Sequence, residues 1–257
     1  MGKYFTVEKL LTISASDQHS GAATAHQLLV DWTAIEIPKG SSCLRSATVL
    51  IRAKGDATPT ENDSPFYLVF SKTNTVSLGS FRAALDHRPS NDFIGVLNFD
   101  ADNFSSASLE STAIATLGTD SAAAAPPLVL QGDPTTGDNV GFDTIYVAMI
   151  AGGSFDFRSI NTIAEAGTAG AASTQVITMD DGSAGGTMDV REHFAAGDVV
   201  HIGTSVGTPA ADSLIGTVAS ADSATQITLT STSATDLVDG DILYNINPIK
   251  IVLGFEK

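Results

Sequence analysis

The segment closest to a catalytic motif is Gly203-Thr204-Ser205-Val206-Gly207, which fits the G-x-S-x-G pattern of a nucleophile elbow. In that pattern a strand, a sharp turn and a helix expose the serine hydroxyl for attack on an acyl group. Here Thr208-Pro209 follows, and the next apolar strand pattern begins at Leu214, which leaves no room for the helix. Chance matches are common in a chain this rich in Gly and Ser. The sequence therefore predicts no serine nucleophile.

Three short acidic segments contain the oxygen ligands that calcium prefers. They are Asp100-Ala101-Asp102-Asn103, Asp180-Asp181-Gly182 and Asp239-Gly240-Asp241. None of them continues into a full ligand loop closed by a glutamate. Asp-Gly pairs are typical of turns, because glycine adopts positive φ and the aspartate side chain bonds to its own backbone. The sequence therefore predicts structural turns here, with calcium binding as the alternative.

Histidine and cysteine, the other metal-ligand and nucleophile candidates, are few and dispersed. No H-E-x-x-H or H-x-E spacing links the histidines, which are His19, His26, His87, His193 and His201. His201 lies between Val200 and Ile202 in an apolar strand pattern, which predicts a position on the surface or rim of a sheet. A single cysteine, Cys43, excludes a disulfide framework and Cys-based zinc sites. The sequence assigns no catalytic, cofactor-binding or metal-binding residue.

The charge balance bears on the class of partner. The 257-residue chain carries 13 Lys and Arg against 29 Asp and Glu, a net charge of −16. Nucleic acids require clustered cations and anionic membranes attract basic segments, so the charge disfavours both partners. Charged residues are only 16% of the chain, below the roughly 25% of ordinary soluble domains. This low density indicates a surface covered by neighbouring molecules, or an uncharged Ser/Thr face.

Targeting signals are also missing from the sequence pattern. No apolar run is long enough for a transmembrane helix. Residues 1–9 lack the apolar core of a secretory signal. We therefore expect synthesis in a cytoplasm without export through the Sec pathway.

Apolar patterns predict strands over most of the first 165 residues, at 5–13, 27–37, 44–53, 66–70, 93–99, 128–130 and 144–150. The last of these is a continuous apolar run, which predicts burial on both faces, and residues 154–158 are expected to form a hairpin partner. A short helix is predicted over 80–87 with Ser80 as its N-cap. Residues 101–127 are dominated by Ser, Ala and Thr and predict a long loop.

Residues 166–245 differ in chemistry from the rest and predict a second, small domain. They hold ten acidic residues and one basic residue, against 19 and 12 in the remaining chain. Two short motifs recur within this segment: residues 173–178 match 224–229, and Gly197-Asp198-Val199-Val200 matches Gly240-Asp241-Ile242-Leu243. Residues 214–219 and 225–230 predict a hairpin. Several short strands with Gly-Asp turns predict a small closed β-barrel, which has no exposed edges.

The C-terminal residues return to the character of the first segment. Apolar residues alternate in the last strand pattern, at Ile249, Ile251, Leu253 and Phe255. We therefore expect residues 246–257 to complete the sheet of residues 1–165, so that residues 166–245 form an insertion before the final strand. The predicted fold is all-β, with an N-terminal β-sandwich and an inserted small acidic barrel that contains an internal duplication.

A resemblance sharpens this interpretation. Residues 197–203, 214–218, 225–229 and 239–244 resemble the small β-modules that recur in virion proteins of tailed bacteriophages, marine phages in particular. The N-terminal part resembles the β-sandwich or jelly-roll bodies of capsid decoration (cement) proteins. The likeness covers about 50 residues and consists of turns and aliphatic residues, without a catalytic signature.

The resemblance implies a function. It implies a non-enzymatic structural protein that binds the major capsid protein or other virion proteins, forms a homotrimer and resides in the virion after assembly in the host cytoplasm. It implies no cofactor, no nucleic acid and no membrane. The alternative is a tail-associated or receptor-binding protein that contacts host surface glycans. A glycan-cleaving enzyme ranks last, because no paired carboxylates with aromatic or cationic support are visible.

Overall fold

The computed structural model describes residues 3–40, 42–54, 60–86, 92–105, 111–118, 128–130, 133–134, 142–158, 175–179, 189–203, 213–237 and 239–257. These residues form an all-β protein with three antiparallel sheets and one short helix, α1 (Ala15–His19). The strands are β1 (Tyr4–Leu11), β2 (Leu28–Pro38), β3 (Ser42–Ile51), β4 (Phe66–Ser71), β5 (Phe93–Phe99), β6 (Ala113–Gly118), β7 (Leu128–Leu130), β8 (Asp133–Pro134), β9 (Phe142–Ala151), β10 (Val176–Thr178), β11 (Val199–Gly203), β12 (Ser213–Ser223), β13 (Gln226–Leu229), β14 (Ile242–Asn245) and β15 (Ile249–Glu256). Single 3-10 turns lie at Ala101–Asn103 and Val190–Glu192.

Two of the sheets pack face to face as a sandwich. Sheet 1 has the order β1-β15-β3-β6, and β7 pairs with another part of β3. Sheet 2 has the order β2-β9-β4-β5, and β8 pairs with β9. Their inner faces share one apolar core, to which β2 and β15 each contribute four side chains larger than alanine and β3, β4 and β9 three each. The predicted all-β class is therefore confirmed, and its first part is sandwich-like.

Strand β15 lies in the middle of sheet 1, between β1 and β3. Its alternate residues Ile249, Ile251, Leu253 and Phe255 are fully buried, while the residues between them are half-buried. Phe255 stacks on Phe5 of β1 with 5.2 Å between ring centroids. The period-2 pattern thus places every second side chain in the core and leaves both backbone edges of β15 hydrogen-bonded.

Strand β9 is covered on both faces, as its continuous apolar run predicts. Ile145, Val147 and Met149 face the sandwich core, whereas Ala148 and Ile150 belong to a second apolar cluster on the outer face of sheet 2. Residues 72–86 cover part of that outer face. Their segment is attached to β2 by hydrogen bonds from Trp32 Nε1 to Val76 O (2.7 Å) and from Ser77 Oγ to Asp31 (3.0 Å).

The helix predicted over 80–87 is wrong for its described part, residues 80–86, which form a turn between two bends and an isolated bridge from Ala84 to Gln27. Arg82 has φ 61°, outside the helical region, and its backbone N–H donates to Leu28 O at 2.9 Å. Its guanidinium also binds the carbonyl oxygens of Ser20 and Ala22. Contacts with β2 thus override the weak local preference for a helix. The observed helix, α1, begins after Ser14, whose hydroxyl accepts from the N–H of Asp17 at 3.1 Å.

The loop predicted over 101–127 is wrong for Ala113–Gly118, which is strand β6 and pairs with β3. Ala113, Ala115 and Leu117 face the core. Two of these are alanines, so the alternation is a weak hydrophobic signal. The hairpin partner expected at 154–158 is also wrong, because that segment makes only an isolated bridge between Phe155 and Ala23.

Sheet 3 has the order β10-β13-β12-β11-β14 and surrounds its own apolar core. The predicted hairpin is confirmed as β12 and β13. The predicted closed barrel is not found, since β10 and β14 do not pair among the described residues. The edge beyond β14 meets helix α1 instead: Ala15 packs with Ile242 and Tyr244, and Gln18 donates to Asn245 O at 2.7 Å. The sandwich thus occupies the edge that barrel closure would need.

The duplicated motifs lie next to their own copies. β10 pairs with β13, and β11 pairs with β14. Each repeated Gly-Asp precedes a strand, with φ +93° at Gly197 and +84° at Gly240. Both following aspartates, Asp198 and Asp241, are buried. These segments are turns, as the sequence predicts for 239–241.

We expect the central strand of sheet 1 to dominate the stability of the sandwich. Ile251→Ala removes a fully buried side chain and should lower the free energy of unfolding by about 2–5 kcal/mol. The matched control is Val252→Ala on the half-buried face of the same strand, which should cost much less. Urea denaturation of both variants measures the difference, and equal losses would contradict the placement of β15 in the core.

Candidate functional site

Most motifs singled out in the sequence are structural or lie outside the described residues. Residues 204–207 and 180–182 belong to the second group. At 100–103 the chain forms a 3-10 turn in which the Asp100 N–H donates to Asn103 Oδ1 at 2.8 Å, and the Asp100 carboxylate accepts from the Asn98 amide at 3.1 Å. Across the described ranges, no group of three or more His, Cys, Asp or Glu side chains is arranged to hold a metal ion. Nor is any described helix long and apolar enough to cross a membrane.

The structure instead concentrates buried polar groups at the junction between the sandwich and sheet 3. Asp198, immediately before β11, is only 3% exposed. Its Oδ2 accepts from the Ala195 N–H (2.8 Å), Asn245 Nδ2 (2.7 Å) and Arg52 Nη2 (3.1 Å). Burial raises the pKa of the Asp198 carboxyl, and the Arg52 charge opposes that shift. Arg52 follows β3 directly, so this ion pair joins the two parts of the protein.

Buried amides complete the junction. Gln18 Nε2 donates to Ile13 O (2.8 Å) and to Asn245 O (2.7 Å). Asn247 Oδ1 accepts from the Val199 N–H at 3.2 Å. The sequence does not predict the buried amides of Gln18, Asn245 and Asn247, because nothing in their local pattern distinguishes them from surface residues. The one sequence feature that could have indicated these residues is the Asn245-Ile246-Asn247-Pro248 run between two strand patterns.

Two of the dispersed histidines lie at this junction. His19 Nδ1 is 2.8 Å from the hydroxyl of Tyr244, and burial raises the pKa of that hydroxyl to about 12. The phenol therefore stays protonated at neutral pH and can donate to His19. The other described histidines are separate from this pair: His26 lies before β2, and His201 is half-buried in β11.

His193 is the second junction histidine and is 7% exposed. Its Nε2 has no hydrogen-bond partner within the described residues. It lines a cavity of about 20 Å³ together with Arg52 and Phe157. Burial, reinforced by the Arg52 charge and opposed by Asp189, lowers the pKa of this imidazole to about 4. His193 is therefore neutral at physiological pH.

A larger cleft of about 400 Å³ opens on the solvent side of the same junction. One wall is the outer face of sheet 1, and the other is the turn at residues 195–198. Its lining includes Leu10 and Leu50 together with charged side chains of β1 and β15. We call it the junction cleft.

A second surface feature lies on sheet 2, away from the junction. On edge strand β5 the side chains of Phe93 and Val96 are 45% and 52% exposed. Phe93 contacts Trp32 of β2, with 5.9 Å between ring centroids. We call Trp32, Phe93 and Val96 the β5 patch.

Comparison of the chain with protein-family models, with curated protein sequences and with solved structures gives no match. No family is therefore assigned. The geometry of the junction can hold two sheet systems together, and the β5 patch can bind an apolar partner surface.

Breaking the Arg52–Asp198 pair should destabilise the protein strongly. Arg52→Met leaves the buried carboxylate without its cation and should lower the free energy of unfolding by about 3 kcal/mol. The matched control is Arg45→Met, which breaks the surface pair with Glu256. Water screens that pair, so the control should lose much less. Urea denaturation at neutral pH gives both values, and similar losses would contradict a buried junction.

His193 should govern part of the pH dependence of stability. The unfolded chain protonates this imidazole near pH 6.5, whereas the native protein does so only near pH 4. Stability therefore falls as the pH drops through this window, by up to about 3 kcal/mol. Asp198 acts oppositely, because its raised pKa lets the native protein bind a proton first. In urea titrations at pH 7 and pH 4.5, His193→Gln should lose less stability than the wild type; equal losses would exclude this role.

Proposed function

We propose that this chain is a non-enzymatic structural protein of a virion, a decoration protein that binds an assembled capsid shell and stabilises it. The observation that carries the proposal is the β5 patch. Contiguous exposed apolar residues mark interaction sites on proteins. Aromatic side chains at the centre of a patch are typical of the residues that dominate binding energy.

The position of the patch supports contact with another protein. The cover formed by residues 72–86 shields the neighbouring part of the outer face, and Trp32 is held by its bond to Val76 O. Phe93 therefore rests on a fixed aromatic neighbour. β5 is also an edge strand, with no partner on its outer side among the described residues. A partner could thus bury the side chains and pair with the strand backbone.

The net charge of the chain and the symmetry of a capsid shell are consistent with the same role. With a net charge of −16, the chain favours a partner whose contact surface carries cations around an apolar centre. The partner in this proposal is the major capsid protein or another virion protein, and the chain acts as a homotrimer. Symmetric copies multiply weak individual contacts into stable attachment.

A second candidate is a tail-associated or receptor-binding protein that contacts host surface glycans. The observation that favours it is the Trp32–Phe93 pair, since paired aromatic rings can stack on sugars. The same patch would then bind a glycan in place of a capsid protein.

The two candidates place the protein at different positions on a virion. Purified chain would be added to phage particles whose gene for this chain has been deleted, and the particles would be imaged by cryo-EM. We expect density on the capsid surface with the wild type and a loss of that density with Phe93→Asp, because a buried unpaired charge opposes binding. Leu214→Asp is the matched control, since Leu214 is 48% exposed on sheet 3, and it should still bind.

Each outcome separates the candidates. Density at the tail tip would support the receptor-binding candidate and overturn the decoration role. An absence of added density on the head and the tail would contradict both. Circular dichroism of Phe93→Asp establishes that the variant is folded before it is compared.

A further inference from the structure

Within the described residues, the two sheets of the sandwich end in the strands β1, β6, β2 and β5. Native sheets protect such edges with charged side chains, register shifts, short strands or covering segments, because an open edge can pair with another strand. Strand β1 has charges at Glu8 and Lys9. Strand β6 is bonded on the side away from β3, where the Ser105 N–H donates to Ile114 O at 2.8 Å. Both edges of sheet 1 are therefore protected.

The β2 edge of sheet 2 is protected as well. The Leu28 N–H donates to Ala83 O at 3.1 Å, so the segment at residues 72–86 covers the start of this strand. Register shifts between Leu28 and Thr33 interrupt its pairing with β9, and Glu36 adds a charge farther along. The other edges apart from β5 are short or covered. Strands β7, β8 and β10 have at most three residues, and β14 meets α1.

Strand β5 differs from these edges. Its seven residues, Phe93–Phe99, include no charged residue and no proline. One register shift lies near its start, opposite Phe70 and Ser71 of β4, and the stretch Gly95–Phe99 pairs regularly with β4. No described residue pairs with the other side of that stretch. Its outward N–H and C=O groups can therefore bond to an added strand.

The side chains around β5 indicate the chemistry of that strand. Val96 is 52% exposed and lies opposite Val69 of β4, so it offers an apolar contact. Asp92 immediately precedes β5, and Asp100 immediately follows it. Antiparallel pairing of β5 with the β5 of a second copy would bring carboxylates from both copies together at each end, and like charges oppose such pairing. A segment with cations at its ends complements both carboxylates.

We infer that β5 is a strand-addition site for an extended apolar segment of a partner protein with Lys or Arg at both ends. The added strand hydrogen-bonds to the backbone of Gly95–Phe99 and buries the Val96 side chain, which is the mode of recognition known as β-augmentation. This inference rests on the proposed role of the β5 patch as the contact with a partner, and it specifies the form of that contact.

Selection of random nine-residue peptides, displayed on yeast, against the purified chain tests the site. We expect enrichment of peptides in which β-branched or aromatic residues alternate between cationic ends. The most enriched peptide is then synthesised, and its affinity is measured by fluorescence anisotropy. An added strand bonds to β5 through only one set of its alternate amides. N-methylation of that set should weaken binding at least about tenfold, and N-methylation of the other set should leave the affinity nearly unchanged.

Variants of the chain locate the bound peptide. Val96→Lys places a cation on β5, as in protected edge strands, and should weaken binding at least about tenfold. Leu214→Lys is the matched control, because Leu214 is 48% exposed on sheet 3, and it should bind as the wild type does. Asp100→Asn should weaken binding by up to about fivefold, the upper range for an exposed charge pair. Asp63→Asn, an exposed loop residue, is its control. Urea denaturation midpoints establish that the variants are folded.

Three results would overturn the inference: no enriched peptide, equal effects of the two sets of N-methyl groups, or equal binding by Val96→Lys and the wild type. These results are separate from those of the cryo-EM experiment. Peptide binding without density on the particles would support strand addition and contradict the proposed function. Capsid density that Phe93→Asp removes, without peptide binding, would support the function and overturn strand addition.

Discussion

The structure depends on the pairing of its final strand, β15, between β1 and β3. Without β15, the first strand of the chain has no described backbone partner in sheet 1, and the inner face of that sheet loses its central row of side chains. The pairing joins residues from the two ends of the chain. Closing a loop of this length costs conformational entropy, and that cost precedes any stabilisation from the contacts that the loop brings together. Burial of the alternate side chains of β15 must offset this entropy cost.

This constraint explains why the junction is built from buried polar groups. The chain passes from sheet 3 into the sandwich between Asn245, the end of β14, and Ile249, the start of β15, and no regular sheet ladder covers the backbone of this crossing. Gln18, Asn245 and Asn247 supply the hydrogen bonds that the crossing backbone needs, because an unpaired buried polar group is costly. His193 Nε2 and the neighbouring Glu192 Oε2 are buried without a hydrogen-bond partner within the described residues, and we expect protonation of the His193 imidazole in acid to weaken the junction.

The two surfaces available for recognition lie on opposite sheets of the sandwich and differ in chemistry. The β5 patch is aromatic and extends an edge strand, which suits a macromolecular partner. The junction cleft is concave, and its floor includes the aliphatic side chains of Leu10 and Leu50. Because they share no residue, binding at one does not obstruct the other. In the proposed role, attachment through the β5 patch on sheet 2 would leave the junction cleft open to solvent.

The sequence by itself determined the all-β class, the buried strands β9 and β15, the β12–β13 hairpin and the turn at Gly240. Each of these follows from a local pattern of alternation, apolar runs or glycine. The tertiary structure alone decided that residues 80–86 are not helical, that β6 is a strand and that sheet 3 remains open against α1. It also decided the junction, where Gln18 meets Asn245 across 227 positions of sequence. A local pattern indicates which face of a strand is apolar. Which residues pair across such long sequence separations depends on tertiary packing, and no short segment of sequence determines that packing.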